Sequence, residues 1–470
     1  MDTSFRRRLF QIFIGLIVVL LLAVAGHYLT THTAQVALQK QLEEYKRLGE
    51  PVTVADLDVP FVPDADNAAL DYLSAAASVA NIPESTEFDK VDFVLPWTNK
   101  ESAAVKALLA KSEQALAHIT LARTKTGVNW GVKMQSPAIK IFLPYISKAR
   151  LAAKLAVASA LDAHLRGDDA LAMQRMDEII FLSRAVDKSP SLLISHLVAI
   201  GIRALACDLA LNIAAEINVP ADGKKLNPAS RKQITDMIAL LLDEKSVRDG
   251  MQSALRGERV FVVDSITCML DGTLDPSTLN PNLNVVVFQM QKAAMLEDAR
   301  LMAIYITSVT AAAQSSDAPT VIANHQQPAV TSQAAKTLLP NFGRVSTTQF
   351  RILTHSRIAA VMLAMRLYAM EHNGNLPAKL GELVPTYLPA IPGDPMAAGS
   401  PPLKYIPSAT DPIIYSVGTN FIDDGGSTKP SNARQKTVSP WEMLDAVFHY
   451  NRPPRDPSSV DPSLRDDLAK

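Results

Sequence analysis

From Leu9 to Leu29 the chain carries no acidic or basic side chain other than His27, and Arg6, Arg7 and Arg8 stand just before that run. As a helix rising 1.5 Å per residue, the run spans roughly the 30 Å of a bilayer's hydrocarbon core. It is apolar on every face, which suits lipid better than the rim of a soluble core. Arginines on its N-terminal side predict that this end stays inside. The expectation is a cytoplasmic N-terminus at 1–8, a transmembrane anchor at 9–29, and everything downstream outside the cytoplasm. That describes a single-pass protein of the bacterial inner membrane. Ala23-Val24-Ala25 also reads as a small-residue cleavage site, so a removed signal peptide is the competing reading. Arg7-Arg8-Leu9-Phe10 echoes a twin-arginine export signal, but Arg6 replaces the usual Ser or Thr. Each of these readings exports the body.

Beyond the apolar run, residues 30–66 read as a helical stalk and an extended connector. Thr33 to Leu48 is a helix with a polar surface, stopped at Gly49-Glu50-Pro51, and Pro60 and Pro63 keep the next stretch extended. Asp66-Asn67 is placed to cap the helix that opens a helical domain at 67–313. Apolar residues recur three and four apart over 102–123, 147–165, 170–185, 192–217, 230–256 and 285–313, with breaks at Gly or Pro. The stretch Leu161 to Asp168 reads as a helical hairpin turning at Gly167. Only one copy of a tetratricopeptide-like unit is evident, and such repeats need about three to bury a core. Residues 314–346 are polar and proline-interrupted, the pattern of a linker.

Fifteen of the thirty prolines follow residue 376, so the C-terminal region differs in class from the helical middle. Thr347 to His372 reads as a helix with Ile358, Val361, Met365 and Tyr368 along one face. Leu403 to Ile406 and Ile413 to Val417 read as short strands that pair and cover this helix with Tyr405 and Tyr415. Gly374 can supply a left-handed cap. Pro392 and Pro395 bracket Asp394 in a turn whose carboxylate can accept backbone N–H groups. Residues 427–470 form a proline-rich tail. The fold class expected is mainly α: an N-terminal membrane helix, a large all-helical body and a small α+β C-terminal module.

The order of pieces in that module is specific. A helix ends at His372-Asn373-Gly374. Leu376-Pro377, Ile391-Pro392-Gly393-Asp394-Pro395, Leu403-Lys404-Tyr405, Ile414-Tyr415-Ser416-Val417-Gly418 and Asp423-Asp424-Gly425-Gly426 follow. Over residues 347–426 this resembles the globular domain of type II secretion major pseudopilins of the protein G type. The resemblance implies a pilin-like module and a calcium-binding acidic loop, here Asn420, Asp423 and Asp424, with Asn420 where that family usually has Asp. Hard oxygen ligands at short spacing suit that ion. Two departures count against an assembling pilin subunit. The family's processing motif is missing before Leu9, and no membrane helix leads into Thr347. The plan of anchor, helical body and pilin-like tail resembles a class of large bacterial envelope proteins, and so does Gly49-Glu50-Pro51 followed by Asn67-Ala68-Ala69. That resemblance brings no activity with it.

Composition and motifs narrow the chemistry. Apolar residues make up 48% and charged residues 20% of the 470, a globular balance. A net charge of −1 offers no basic excess for nucleic acid. The chain has no P-loop, no H-E-x-x-H and no G-x-S-x-G. His118, His164 and His196 each stand alone in helical contexts. Ser195-His196 is a poor nucleophile–base pair, because adjacent helical residues point apart. Gly257-Glu258-Arg259 is expected to end one helix and to hold a buried ion pair. Cys207 and Cys268 could form one disulfide, though two separate buried thiols fit their apolar surroundings. The functional expectation is a membrane-anchored envelope scaffold or interaction protein, with membrane and envelope proteins as partners and a secretion or pilus-like system as its setting. The alternative is an extracytoplasmic hydrolase whose catalytic residues carry no recognisable motif.

Overall fold

A computed structural model describes residues 3–188, 190–219, 226–279, 288, 290–324, 326–432, 439–451 and 455–465. The N-terminal helix α1 (Thr3–Arg47) is continuous, so the polar stretch from Thr33 extends the apolar run. Thr30 and Thr33 turn their hydroxyls back onto the carbonyls of Gly26 and Leu29, which keeps those polar groups satisfied within the helix. The apolar run is exposed from end to end, and the helix is long and apolar enough to cross a membrane. Its last turns do the opposite and bury Leu38 and Tyr45 in the body.

The body is built from helical hairpins. α2 (Ala68–Val79) starts on Asn67, whose side chain accepts the Ala69 N–H as the sequence predicts. Then come α3 (Ser85–Phe88), α4 (Asn99–Leu109) and α5 (Glu113–Ala122). α6 (Tyr145–Leu165), α7 (Asp169–Lys188) and α8 (Leu193–Ile213) pack successively on one another. The α6–α7 reversal occurs at Gly167, with φ +80°.

The expected helix over 230–256 divides into α9 (Arg231–Leu242) and α10 (Lys245–Asp271). No glycine or proline marks the break. It occurs where the buried Arg203 guanidinium from α8 collects the carbonyls of Leu240, Leu241 and Asp243. α10 then runs unbroken through Gly257, Glu258 and Arg259, so the helix end expected there is corrected. Gly257 serves close packing instead: a Cβ there would collide with the Ser191 carbonyl oxygen. α11 (Lys292–Ala312) returns along α10, and α1 lies against α11. The Arg259 guanidinium sits 4.0 Å from the Tyr45 ring centroid, pairs with Glu50, and donates to the Pro51 carbonyl. The buried pair expected at this segment therefore joins Arg259 to Glu50, and Glu258 has no part in it.

The stretch 314–346 contains α12 (Ala318–Asn324) and α13 (Gln333–Leu338). It is tied down, because the Asp298 carboxylate accepts the N–H groups of Thr331 and Ser332. α14 (Phe342–Glu371) then passes through the middle of the molecule. Every residue from Ile358 to Met365 is fully buried, since α8 and α9 pack on one side and the sheet on another. Three antiparallel strands form that sheet in the order β1 (Lys404–Ile406), β2 (Ile413–Ser416), β3 (Ala446–His449). β3 comes from the stretch expected to be tail. The helical body, α14 and the sheet share one hydrophobic core.

Strand register corrects the expectation for the two tyrosines. Tyr405 stands opposite Ile414, and Ile414 opposite Phe448, and these three belong to the core. Tyr415 stands opposite Lys404 and Val447, so it faces away from the helix. Successive strand residues alternate faces, and this register sends the two tyrosines to opposite sides.

Candidate functional site

The acidic loop lies on that outer face. The Tyr415 hydroxyl donates to Asp423 Oδ1 at 3.2 Å, and Lys404 Nζ lies 3.3 Å from Asp423 Oδ2. The Gly425 N–H, Lys404 and Tyr415 hold the Asp423 carboxyl below its usual range. Asn420 turns its amide N–H onto Asp424 Oδ2 at 2.8 Å, and its carbonyl oxygen accepts the Ile422 N–H. Asn420 and Asp424 thus meet, while Asp423 faces Lys404 and Tyr415. A calcium ion takes six to eight oxygens. Here Asn420 Oδ1, both Asp423 oxygens and Asp424 Oδ2 are engaged in hydrogen bonds within the loop or with Tyr415 and Lys404. Among the described residues no group of three His, Cys, Asp or Glu side chains could hold a metal ion.

Asp445 organises the loop, and the sequence reading passed it over. It is fully buried and accepts the N–H groups of Asp424, Gly426 and Ser427. The only local signal is an aspartate entering an apolar strand. Asp394, by contrast, behaves as its turn predicts. It accepts the N–H groups of Met396 and Val417 and the Ser416 hydroxyl. Burial pushes its pKa up despite those bonds.

The three helical histidines have separate partners. His118 lies 3.4 Å from Asp71. His196 meets Asp187 at 2.7 Å, while Ser195 bonds the Tyr145 hydroxyl, so the adjacent pair points apart. Cys207 and Cys268 are free and lie in different cores, and burial pushes the Cys207 thiol up to about 11.

His164 lies between two carboxylates. Its Nδ1 is 2.6 Å from Asp169, its Nε2 is 3.6 Å from Glu216, and Asp169 also accepts the Asn218 N–H. Burial alone would lower the histidine's pKa, but the hydrogen bonds and charges of Asp169 and Glu216 outweigh it and raise the value. The stabilisation is complete below the unfolded value of about 6.5 and is lost as pH rises through the higher folded value. His164→Gln should therefore be less stable than wild type in acid, with the gap closing above neutrality in denaturant titrations. A gap independent of pH would contradict this assignment.

A cleft of about 350 Å³ opens where the helical body meets the sheet. Val157, Leu205, Leu209 and Phe448 form its apolar wall, and Asp92, Asp208 and His449 are its ionisable groups. Each of these is engaged. Asp92 lies 3.4 Å from Arg455, Asp208 3.2 Å from His355, and His449 2.7 Å from Asp411. His355 packs beside Trp441 and Phe448. No serine, threonine, cysteine or lysine lines the cleft among the described residues. Comparison with protein-family models, with curated proteins and with solved structures finds no match to this chain.

Proposed function

We propose that the chain is a membrane-anchored interaction protein of the bacterial envelope, with its body held outside the cytoplasm. The observation that carries this reading is the divided environment of α1. Leu9 to Leu29 present exposed apolar side chains on all sides, whereas Leu38 and Tyr45 of the same helix are buried in the body. So large an exposed apolar surface calls for a covering phase, and its length matches a bilayer. The Glu50–Arg259 pair and the Arg259–Tyr45 stack couple that helix to the body, so the body is held rather than tethered by a slack linker. The pseudopilin-like order of the C-terminal pieces makes secretion-apparatus components the partners to seek.

A reporter that folds only after export, fused to the C-terminus of the full chain, should be active, and the protein should remain with membranes after carbonate washing. An inactive reporter, or a mature chain that begins at Gly26 and washes off, would overturn the anchored reading. Affinity purification in mild detergent should recover other envelope proteins. Recovery of this chain alone across several detergents would overturn the interaction role.

A further inference from the structure

The buried ionisable groups described above have hydrogen-bond or ion-pair partners, whereas Glu258, which is only partly buried, has neither among the described residues. It lies on α10, where Arg256 and Arg259 both turn to Glu50, and its carboxyl has no hydrogen-bond or ion-pair partner among the described residues. It opens into a second cleft, of about 430 Å³, walled by Ile139, Ile141 and Leu143, by Leu193 and Leu197 of α8, and by Phe261. No other ionisable side chain lines that cleft among the described residues. Its mouth is open, with Ile194 half exposed beside it. A carboxylate in apolar surroundings without a partner costs stability. A glutamine or leucine would fill the position without that penalty, so the carboxyl is a feature that packing alone would not select. Burial is the sole cause acting on it and pushes its pKa up to about 7.

We propose that this cleft binds a small amphipathic organic cation, an aliphatic amine whose hydrocarbon body fills the apolar walls while its ammonium pairs with Glu258. The cleft lies within the range of about 300–1,000 Å³ in which small-ligand pockets fall, and such pockets combine apolar walls with one or few orienting polar groups. Charge decides the class of ligand. A ligand carboxylate would place a second acid against Glu258, and a neutral alcohol would leave the ionised carboxylate uncompensated. An ammonium supplies the missing partner in surroundings where ion pairing is strong. The proposal is independent of membrane anchoring.

The test is calorimetric titration of the full chain in nanodiscs at pH 7. The probes are cyclohexylmethylammonium, cyclohexylmethanol and cyclohexanecarboxylate, which share one hydrocarbon body. The ammonium should bind at least about ten-fold more tightly than the other two. Titration in two buffers of different ionisation enthalpy should show proton release, because the incoming cation draws Glu258 into its ionised form. Glu258→Gln, which removes an unpaired charge and should fold at least as well as wild type, should lose both the preference and the proton release. Leu197→Trp, which fills the cleft without touching the carboxyl, should abolish binding of the ammonium. Equal binding of alcohol and ammonium, a preference that survives Glu258→Gln, ammonium binding that survives Leu197→Trp, or no ammonium binding by wild type would each overturn the proposal.

Discussion

Gly257→Ala is expected to destabilise the fold by about 2–3 kcal/mol, the upper part of the range for overpacking a tight contact. Two effects compete at this position. In the interior of α10, alanine gains roughly 0.5–1 kcal/mol over glycine from backbone entropy. Against that, the new Cβ would sit well inside van der Waals contact of the Ser191 carbonyl oxygen. That obstacle is backbone, so no rotamer change relieves it, and α10 must move away from the α7–α8 connection. Gly250, two turns earlier, is the internal control. A Cβ there meets the Asp187 carboxylate, the far end of a side chain. Asp187 can swing aside at the expense of its bond to His196, so Gly250→Ala should be milder. Urea titrations of both variants check the order. A stabilised Gly257→Ala would mean that helix propensity wins and that the close approach is absent.

The second large effect concerns the C-terminal segment. Arg455→Met should cost about 3–5 kcal/mol, the usual consequence of leaving one member of a buried ion pair alone. Arg455 reaches Glu101 with two nitrogens, at 2.8 and 3.1 Å, and Glu101 is fully buried. Glu101 also accepts the Thr98 N–H in the capping box of α4, so its carboxylate cannot swing out to water without uncapping that helix. Val460 and Leu464 beyond Arg455 belong to the main core, and the Thr98 hydroxyl donates to the Leu464 carbonyl. Loss of the pair should therefore release the segment from 455 onward to limited proteolysis. Adding Glu101→Gln to Arg455→Met should restore part of the stability, because no buried charge is then stranded. By contrast, removing the exposed Lys154–Asp89 pair should change stability by less than about 1 kcal/mol. An Arg455→Met protein as stable and protease-resistant as wild type would remove Arg455 as the clasp of this segment.

Local signals were legible in the sequence because their cause lies within a few residues. The length of the apolar run, the three-and-four spacing of the body helices, the Asn67 cap, and the Asp394 turn all rest on neighbouring side chains and backbone. Gly374 belongs with them: its φ is +85° and its N–H bonds the Ala369 carbonyl. Whatever depends on a distant partner was decided by the tertiary structure. α9 stops where Arg203 of α8 gathers its carbonyls, and the local mark there is slight: the Asp243 carboxylate accepts the Lys245 N–H that opens α10. α10 continues through Gly257 because the glycine answers to Ser191. The single apolar face read on α14 became a helix buried all round, since the periodicity could not count the number of elements packed against it. Tyr415 left the core side because register, set by β1 and β3 together, assigns each strand residue its face. The same holds for the charges. Asp423 and Asp424 stand adjacent in the chain yet face different partners. Glu258 and Arg259 stand adjacent too, but Arg259 meets Glu50 across 209 positions and Glu258 is left facing an open apolar cleft. A helix sends neighbouring side chains about 100° apart, so adjacency along the chain fixes which residue types are at hand, and only the packing of distant segments settles which of them meet.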